Sequence, residues 1–327
     1  MSMTRCIEVL AGSRLHFGMF SLEPRGGRQY GGMGAMIQTP PLRLTIRDAP
    51  GLEVVGPMRR PALRAARMAW INDPACPDPA AEPRCRIEVC QSPPQHVGLG
   101  SGTQLAMAVA AGLNAFLDRP ALDAAALARR VGRGQRSAIG LYGFVEGGLL
   151  WEDGKMPSEE VSPLVARVEL PEAWRFVLVR PRGVRGLWGV AEQKAFAGLP
   201  PVPEERTRAL RREAAEVLLP AAAAGRFEEF SESLYRFGYE AGLSFSARQG
   251  GAFAGPRLTA LVQAIRDLGV HGVGQSSWGP TLFALLPSAD EAAEFLLRLR
   301  QPSWAADLEL TVTVPANRGA SIAVCRG

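Results

Sequence analysis

The sequence predicts an α+β protein of two domains, and three observations carry that expectation. The chain has 327 residues, about twice a common domain length. Strong helical periodicity occurs in both halves, beside strand-like stretches that lack the long apolar runs of a parallel sheet. The composition changes between residues 151 and 173, where turn residues interrupt the regular patterns. The boundary is placed near Pro171, which gives segments 1–170 and 171–327.

In the first segment, Leu42 to Ile46 and Arg86 to Val89 alternate as strands. Met58 to Ala69 reads as a short helix and Asp73 to Pro83 as a proline-rich connection. Ser101 to Leu117 is a strong helix because Leu105, Val109, Leu113 and Phe116 recur at helical spacing. A second helix runs from about Asp123 to Gly132. Trp151-Glu-Asp-Gly-Lys-Met-Pro turns the chain, and Val165 to Leu170 is a closing strand. The second segment starts with a strand at Trp174 to Val179, followed by helices near 203–219, 227–241 and 256–268. Strands at 281–287 and 308–314 flank a helix at 290–300. That order suits a mixed or antiparallel sheet.

Composition removes several function classes. Hydrophobic residues make up 47% and charged residues 21%, enough apolar side chain to fill a core and too little charge for a disordered chain. No run approaches the roughly 18 apolar residues of a membrane span. Charge and glycine arrive too early at the N-terminus for a secretory leader. Five cysteines (Cys6, Cys76, Cys85, Cys90 and Cys325) form no CxxC pair. An odd count without ligand spacing indicates neither zinc nor a disulfide framework, so a reducing cytoplasm is expected.

The net charge is +5, and all but Lys155 and Lys194 of the 37 basic residues are arginines. Codon bias explains such an excess; so does a small anionic substrate, because the guanidinium fork matches phosphate and carboxylate. No basic run and no basic helix interleaved with aromatics occurs, which argues against nucleic acid.

Three segments could hold an anion. Pro93-Pro-Gln-His-Val-Gly-Leu-Gly-Ser-Gly-Thr-Gln104 runs directly into the 101–117 helix. Gly98, Gly100 and Gly102 allow a sharp turn that gathers backbone N–H groups, and the helix presents its positive end to the same point. Ser101 and Thr103 add hydroxyls that cap the helix or touch a phosphate. An ordinary glycine-rich helix entry has the same sequence. In Gly12-Ser-Arg-Leu-His-Phe-Gly18, Arg14 and His16 share one face of a short strand, either toward substrate or toward water. The glycine loop Gly26 to Gly34 follows. His271-Gly-Val-Gly-Gln-Ser-Ser-Trp-Gly-Pro-Thr281 reads as a loop with more glycine than a turn needs, and Trp278 either stacks on a ligand ring or packs internally. His16, His96 and His271 all fall in these segments, without carboxylate or cysteine partners at metal-ligand spacing. Arg136-Ser137 and Gln249-Gly-Gly are further close-approach candidates.

In this order the segments resemble the GHMP kinase superfamily. Its motif P-x-x-x-G-L-G-S-S-A is matched by Pro94-Gln-His-Val-Gly-Leu-Gly-Ser-Gly-Thr through Ser101. The resemblance implies a ribosomal-protein-S5-like N-terminal domain and a ferredoxin-like C-terminal domain. Many such kinases carry S-G-x-D seven residues before a Gly-Gly pair, and their aspartate acts on the acceptor hydroxyl. Here Ser137-Ala-Ile-Gly140 precedes Gly147-Gly148, and glycine has no side chain to hold a proton.

More specifically, the pattern is similar to a non-kinase branch, the β-ribofuranosylaminobenzene 5′-phosphate synthases. Arg14-Leu-His-Phe-Gly, Arg28-Gln-Tyr-Gly-Gly-Met-Gly, His96-Val-Gly-Leu-Gly-Ser-Gly-Thr-Gln, Arg136-Ser-Ala-Ile-Gly and Gly272-Val-Gly-Gln-Ser-Ser-Trp-Gly-Pro-Thr carry that likeness. It implies joining 5-phosphoribosyl 1-diphosphate (PRPP) to 4-aminobenzoate or 4-hydroxybenzoate with release of CO2 and diphosphate, in tetrahydromethanopterin biosynthesis. Catalytic roles then fall on Arg14, His16 and Arg136. Substrate contacts fall on Tyr30, Gly31, Gly32, Gly98, Gly100, Ser101, Gly102, Thr103, Gln104, Ser137, Gln249, Gln275, Ser276, Ser277 and Trp278. Mg²⁺ is expected with the PRPP diphosphate and ATP is not; the metal ligands stay open, as does a homodimer. An ATP-dependent small-molecule kinase with an atypical loop, or a catalytically silent relative, are the competing readings.

Overall fold

The computed structural model describes residues 5–22 and 27–325. Gly26 and the first four residues of the leader reading lie outside the described residues.

The architecture is α+β, built on two sheets. β1 (Cys6–Met19), β2 (Gly32–Asp48), β3 (Glu53–Val55), β4 (Cys85–Gln91), β5 (Leu149–Glu152) and β6 (Leu164–Val168) belong to the first. β7 (Arg175–Pro181), β8 (Gly272–Gln275), β9 (Leu282–Leu286) and β10 (Leu308–Thr313) form a second, antiparallel sheet in the order β10-β7-β9-β8. The last strand, β11 (Ser321–Val324), returns to the first sheet and pairs with β1. Residues 321–324 therefore do not stay with the segment 171–327 to which the sequence assigned them.

Helices α1 (Arg59–Ile71), α2 (Ser101–Phe116), α3 (Ala124–Val131) and α4 (Ile139–Glu146) cover the first sheet. α2 has buried residues on every side, from Gln104 continuously to Asn114. Its inner stripe meets Val9, Leu44 and Ile46, while α1, α3 and α4 close over its back. After β7 come α5 (Gly189–Ala197), α6 (Glu204–Glu213), a π turn at Ala214–Leu218, and α7 (Leu219–Ala223). Then follow α8 (Phe227–Leu243), α9 (Ser246–Gln249) and α10 (Gly255–Asp267), with α11 (Ala289–Arg300) between β9 and β10. A shared core joins the two halves: Leu15, Phe17 and Phe20 of the β1 segment pack with Phe176, Phe230, Phe237 and Phe283.

Several elements differ from the sequence expectation for identifiable reasons. Residues 32–34 of the glycine loop are the start of β2: a Cβ on Gly32 would lie 2.2 Å from the Gly18 carbonyl oxygen, and one on Gly34 2.4 Å from that of Leu15. These glycines serve close strand pairing at a bulge in β1. His271 to Thr281 likewise contains β8, where a Cβ on Gly274 would strike the Phe283 ring at 2.4 Å. Trp151 and Glu152 are not a turn but the end of β5, paired with β2 and β6. The cysteine reading also needs correction. Cys6 and Cys325 form a disulfide with Cα atoms 5.1 Å apart, because β1–β11 pairing brings the two ends of the chain together. Odd cysteine number therefore did not exclude a bridge, and it supplies no argument for a reducing compartment. No helix among the described residues is long and apolar enough to cross a membrane.

Candidate active site

The glycine loop before α2 is held between two other elements. Gly98 and Gly100 adopt φ of 90° and 70°, the left-handed region that disfavours side chains. A Cβ on Gly98 would sit 2.3 Å from the Ser276 carbonyl oxygen, so the loop presses against the β8–β9 turn. Gly100 is the N-cap of α2, and no side chain satisfies the first helical amides. At Gly102 the space is open: an added Cβ would meet only Arg133 Nη2, at 3.6 Å. Arg133 donates from that nitrogen to the Gly102 carbonyl at 3.2 Å. Ser101 is buried. Gln104 turns inward, donating from Nε2 to the Gly140 carbonyl at 2.8 Å, while its Oε1 is buried without a partner. Thr103 lies against Gly140, so the position of the kinase aspartate is filled from α2.

β1 brings Arg14 and His16 to this loop. Leu15 and Phe17 enter the shared core, and strand alternation sends Arg14 and His16 the other way. This face meets α2 and α4, which bury His16 and half-bury Arg14. Arg14 donates its backbone N–H to the Leu99 carbonyl at 3.1 Å and makes one long contact from Nη1 to the Gly98 carbonyl at 3.4 Å. Its Nε is buried without a partner. Burial lowers the Arg14 guanidinium to about 10, opposed by Glu192 and Glu152. His16 is 3% exposed; burial, and then the charge of Arg14, hold its imidazole well below the usual range. The imidazole is therefore neutral, with Nε2 3.1 Å from the Ser137 hydroxyl.

Behind Ser137 is Glu152, which the sequence reading missed. It is fully buried at the end of β5. Its carboxylate accepts from the Ser137 hydroxyl at 2.5 Å and from the Ala138 N–H at 2.6 Å, at the N-terminal end of α4. Burial pushes its pKa up to about 7, against the lowering effect of those hydrogen bonds. The available signal was a lone acid closing the apolar run Leu149-Leu-Trp, which is costly in a core strand without partners.

Glu192 on α5 is a second missed carboxylate. It pairs with Arg136 at 2.8 Å and acts electrostatically on Arg14, Arg133 and His96. Arg136 lies over the Phe196 ring at 4.5 Å. Arg14 and Arg133 thus meet the glycine loop and the start of α2, and Glu192 links them electrostatically to Arg136.

An aromatic pocket adjoins this cluster, lined by His16, Phe196, Phe245, Gln249, Ser277 and Trp278 among others. Trp278 is buried edge-to-face against Phe196 and Phe245, at 5.3 and 4.9 Å between centroids. Tyr30 meets Phe196 at 6.1 Å. Other expected contact residues also have partners within the protein. Gln275 accepts from Ala254 N–H and donates to the Ser277 carbonyl. Ser276 donates to the Gly98 carbonyl and accepts the His16 N–H. Gln249 donates to the Gly242 and Ala252 carbonyls. Gly31 makes room for Asp153, whose carbonyl carbon lies 2.4 Å from where a Cβ would be. The three histidines do not converge: His96 stacks on Trp188 at 4.2 Å, and His271 pairs with Glu232 at 3.3 Å.

Among the described residues, no group of three His, Cys, Asp or Glu side chains could hold a metal ion. What the site offers is a cationic anion cradle beside an aromatic slot, with a neutral histidine between them.

Comparison with known proteins gives the family and the fold. The model of the GHMP kinases N terminal domain matches residues 64–148, and that of GHMP kinases C terminal matches residues 218–302. A β-ribofuranosylphenol 5′-phosphate synthase from Archaeoglobus fulgidus is 30% identical over 95% of this chain and 98% of its own length. One of the same name from Methanothermobacter thermautotrophicus is 28% identical over 84% of this chain and 86% of its own. Among solved structures, homoserine kinase from Cytophaga hutchinsonii superposes with TM-score 0.67 at 16% identity, covering 99% of both chains. Phosphomevalonate kinase from Streptococcus pneumoniae gives 0.68 at 16% identity, over 95% of this chain and 100% of its own. These two likenesses establish the fold.

Proposed function

This chain belongs to the family of β-ribofuranosylphenol 5′-phosphate synthases, pentosyl-transferring enzymes on the GHMP fold, and we propose that it condenses PRPP with a para-substituted benzoate, releasing diphosphate and CO2. The relatives' names carry a phenol, which favours 4-hydroxybenzoate over 4-aminobenzoate. The observation that carries this reading is Arg14, with a buried, unpaired Nε under the uncapped start of α2. A largely desolvated cation beside a helix start that no side chain caps favours a multiply charged anion. Gly140 supplies no acid or base for phosphoryl transfer to an alcohol.

In this mechanism the α2 amides, Arg14 and Arg133 take the diphosphate, and Arg136 takes the 5′-phosphate once Glu192 releases it. Mg²⁺ would be carried by the PRPP diphosphate rather than by protein carboxylates, and would offset the charge of the leaving group. The aromatic ring lies in the slot beside Trp278 and Phe245. As diphosphate leaves C1 of the ribose, the ring carbon bearing the carboxylate attacks, forming the C–C bond. Expulsion of CO2 returns the bonding pair to the ring, so no proton need be removed from carbon. A largely apolar slot suits that step, because an arginine fork on the carboxylate would stabilise the ground state against its loss.

The test is a single assay with carboxyl-labelled 4-hydroxybenzoate or 4-aminobenzoate, PRPP and Mg²⁺. Labelled CO2 should appear one-for-one with diphosphate, without ATP. ATP-dependent phosphorylation of an alcohol, with no CO2 from either benzoate, would replace this reading with the kinase.

A further inference from the structure

We infer that Glu152, Ser137 and His16 form a proton relay that accepts the para-hydroxyl proton of the aromatic substrate, with Glu152 as the buried terminus. The inference rests on the proposed reaction and adds residues that touch or serve the nucleophile.

The geometry is a continuous line from slot to core. His16 lines the aromatic slot, and its Nε2 is 3.1 Å from the Ser137 hydroxyl, which donates to Glu152 at 2.5 Å. A hydroxyl that donates to a carboxylate has its lone pairs left for acceptance, so His16 carries its proton on Nε2. Nδ1 is then the unprotonated ring nitrogen available to a ligand in the slot. Three transfers balance. The substrate O–H proton moves to Nδ1, the Nε2 proton moves to the Ser137 oxygen, and the Ser137 proton moves to Glu152. The imidazole and serine end neutral, Glu152 ends as the acid, and the substrate becomes a phenolate. Negative charge on the para oxygen raises electron density at the ring carbon that attacks the ribose, which is the carbon bearing the carboxylate.

Glu152 is suited to be the terminus because it does not reach substrate itself. Its second oxygen is fixed by the Ala138 N–H at 2.6 Å, and the Ser162 hydroxyl also bonds it. Burial holds its pKa near 7, within reach of a proton arriving at neutral pH. His16, held far below that by burial and by Arg14, is a poor resting place and a good conduit. The charged and titratable groups acting on this line are Arg14 from β1, Tyr142 from α4, and Glu192 through Arg14.

The experiment measures kcat/KM for 4-hydroxybenzoate against pH in wild type, Glu152→Gln and Ser137→Ala, with PRPP binding followed separately. Wild type should lose activity as pH falls through about 7, since a protonated Glu152 cannot accept. Both variants should lose that acid limb and fall about 100-fold, with PRPP affinity within a few-fold of wild type. Ser137→Ala leaves Glu152 on the Ala138 N–H and so decides the matter if Glu152→Gln does not fold. An active wild type beside a Ser137→Ala variant with unchanged rate and pH profile would overturn the relay. A wild type that releases no CO2 from either benzoate would instead overturn the reaction on which it rests.

Discussion

Replacing Arg14 with methionine should stabilise the free protein while removing its affinity for PRPP. The guanidinium is lowered from 12.5 to about 10, chiefly by burial. That corresponds to about 3 kcal/mol against the charged form in the folded state. The folded-state value lies below the unfolded one, so the unfolded chain holds the proton more tightly. The penalty is therefore fully present at every pH below about 10 and is relieved only above it. Part of the side chain remains open to solvent, so about half of that figure is a fair expectation. Methionine keeps most of the aliphatic stem against Gly100 and loses one long hydrogen bond to the Gly98 carbonyl. The net gain is about 1 kcal/mol, or roughly 2 °C in Tm at this chain length. In the complex the sign reverses: a charge-assisted hydrogen bond to diphosphate contributes about 1.5–3 kcal/mol, which is roughly 10- to 100-fold in affinity. Differential scanning calorimetry with and without Mg·PRPP reads both effects. Wild type should melt lower alone and rise on adding ligand, and Arg14→Met should melt higher alone and rise little. An equal ligand-induced rise in both proteins would show that Arg14 does not meet the anion.

The glycines of the loop should separate by role. Gly98→Ala forces a Cβ to within 2.3 Å of the Ser276 carbonyl oxygen at a positive φ and should cost at least about 1–2 kcal/mol of stability by urea titration. Gly102→Ala has room in the protein, so Tm should stay within about 1 °C while KM for PRPP rises; an unchanged KM would place the diphosphate elsewhere. Glu192→Gln removes the carboxylate that shares the arginine cluster. Inhibition by pyrophosphate should then tighten by up to about 10-fold, worth about 1.4 kcal/mol, and a weakened inhibition would mean that Glu192 assists binding.

The sequence by itself determined those features that follow from short-range geometry. Helical spacing at Leu105, Val109 and Leu113 gave α2, and strand alternation put Arg14 and His16 opposite Leu15 and Phe17. The ordered series of glycine motifs was enough to carry the resemblance to the GHMP fold and to the family. What only the tertiary structure decided were matters of long-range contact. Gly32 and Gly274 read as loop because a missing side chain looks the same beside a ligand and beside a neighbouring strand. Gln275, Ser276 and Gln249 read as substrate ligands, and only the fold shows that each also holds a backbone group in place. Cys6 and Cys325 are joined across almost the whole chain by a strand pairing that no local pattern announces. Glu152 and Glu192 show the same limit most clearly. Each is an unremarked acid in the sequence, and its chemistry arises only when folding places it against Ser137 or Arg136, because burial and Coulomb interaction depend on distance in space and not along the chain.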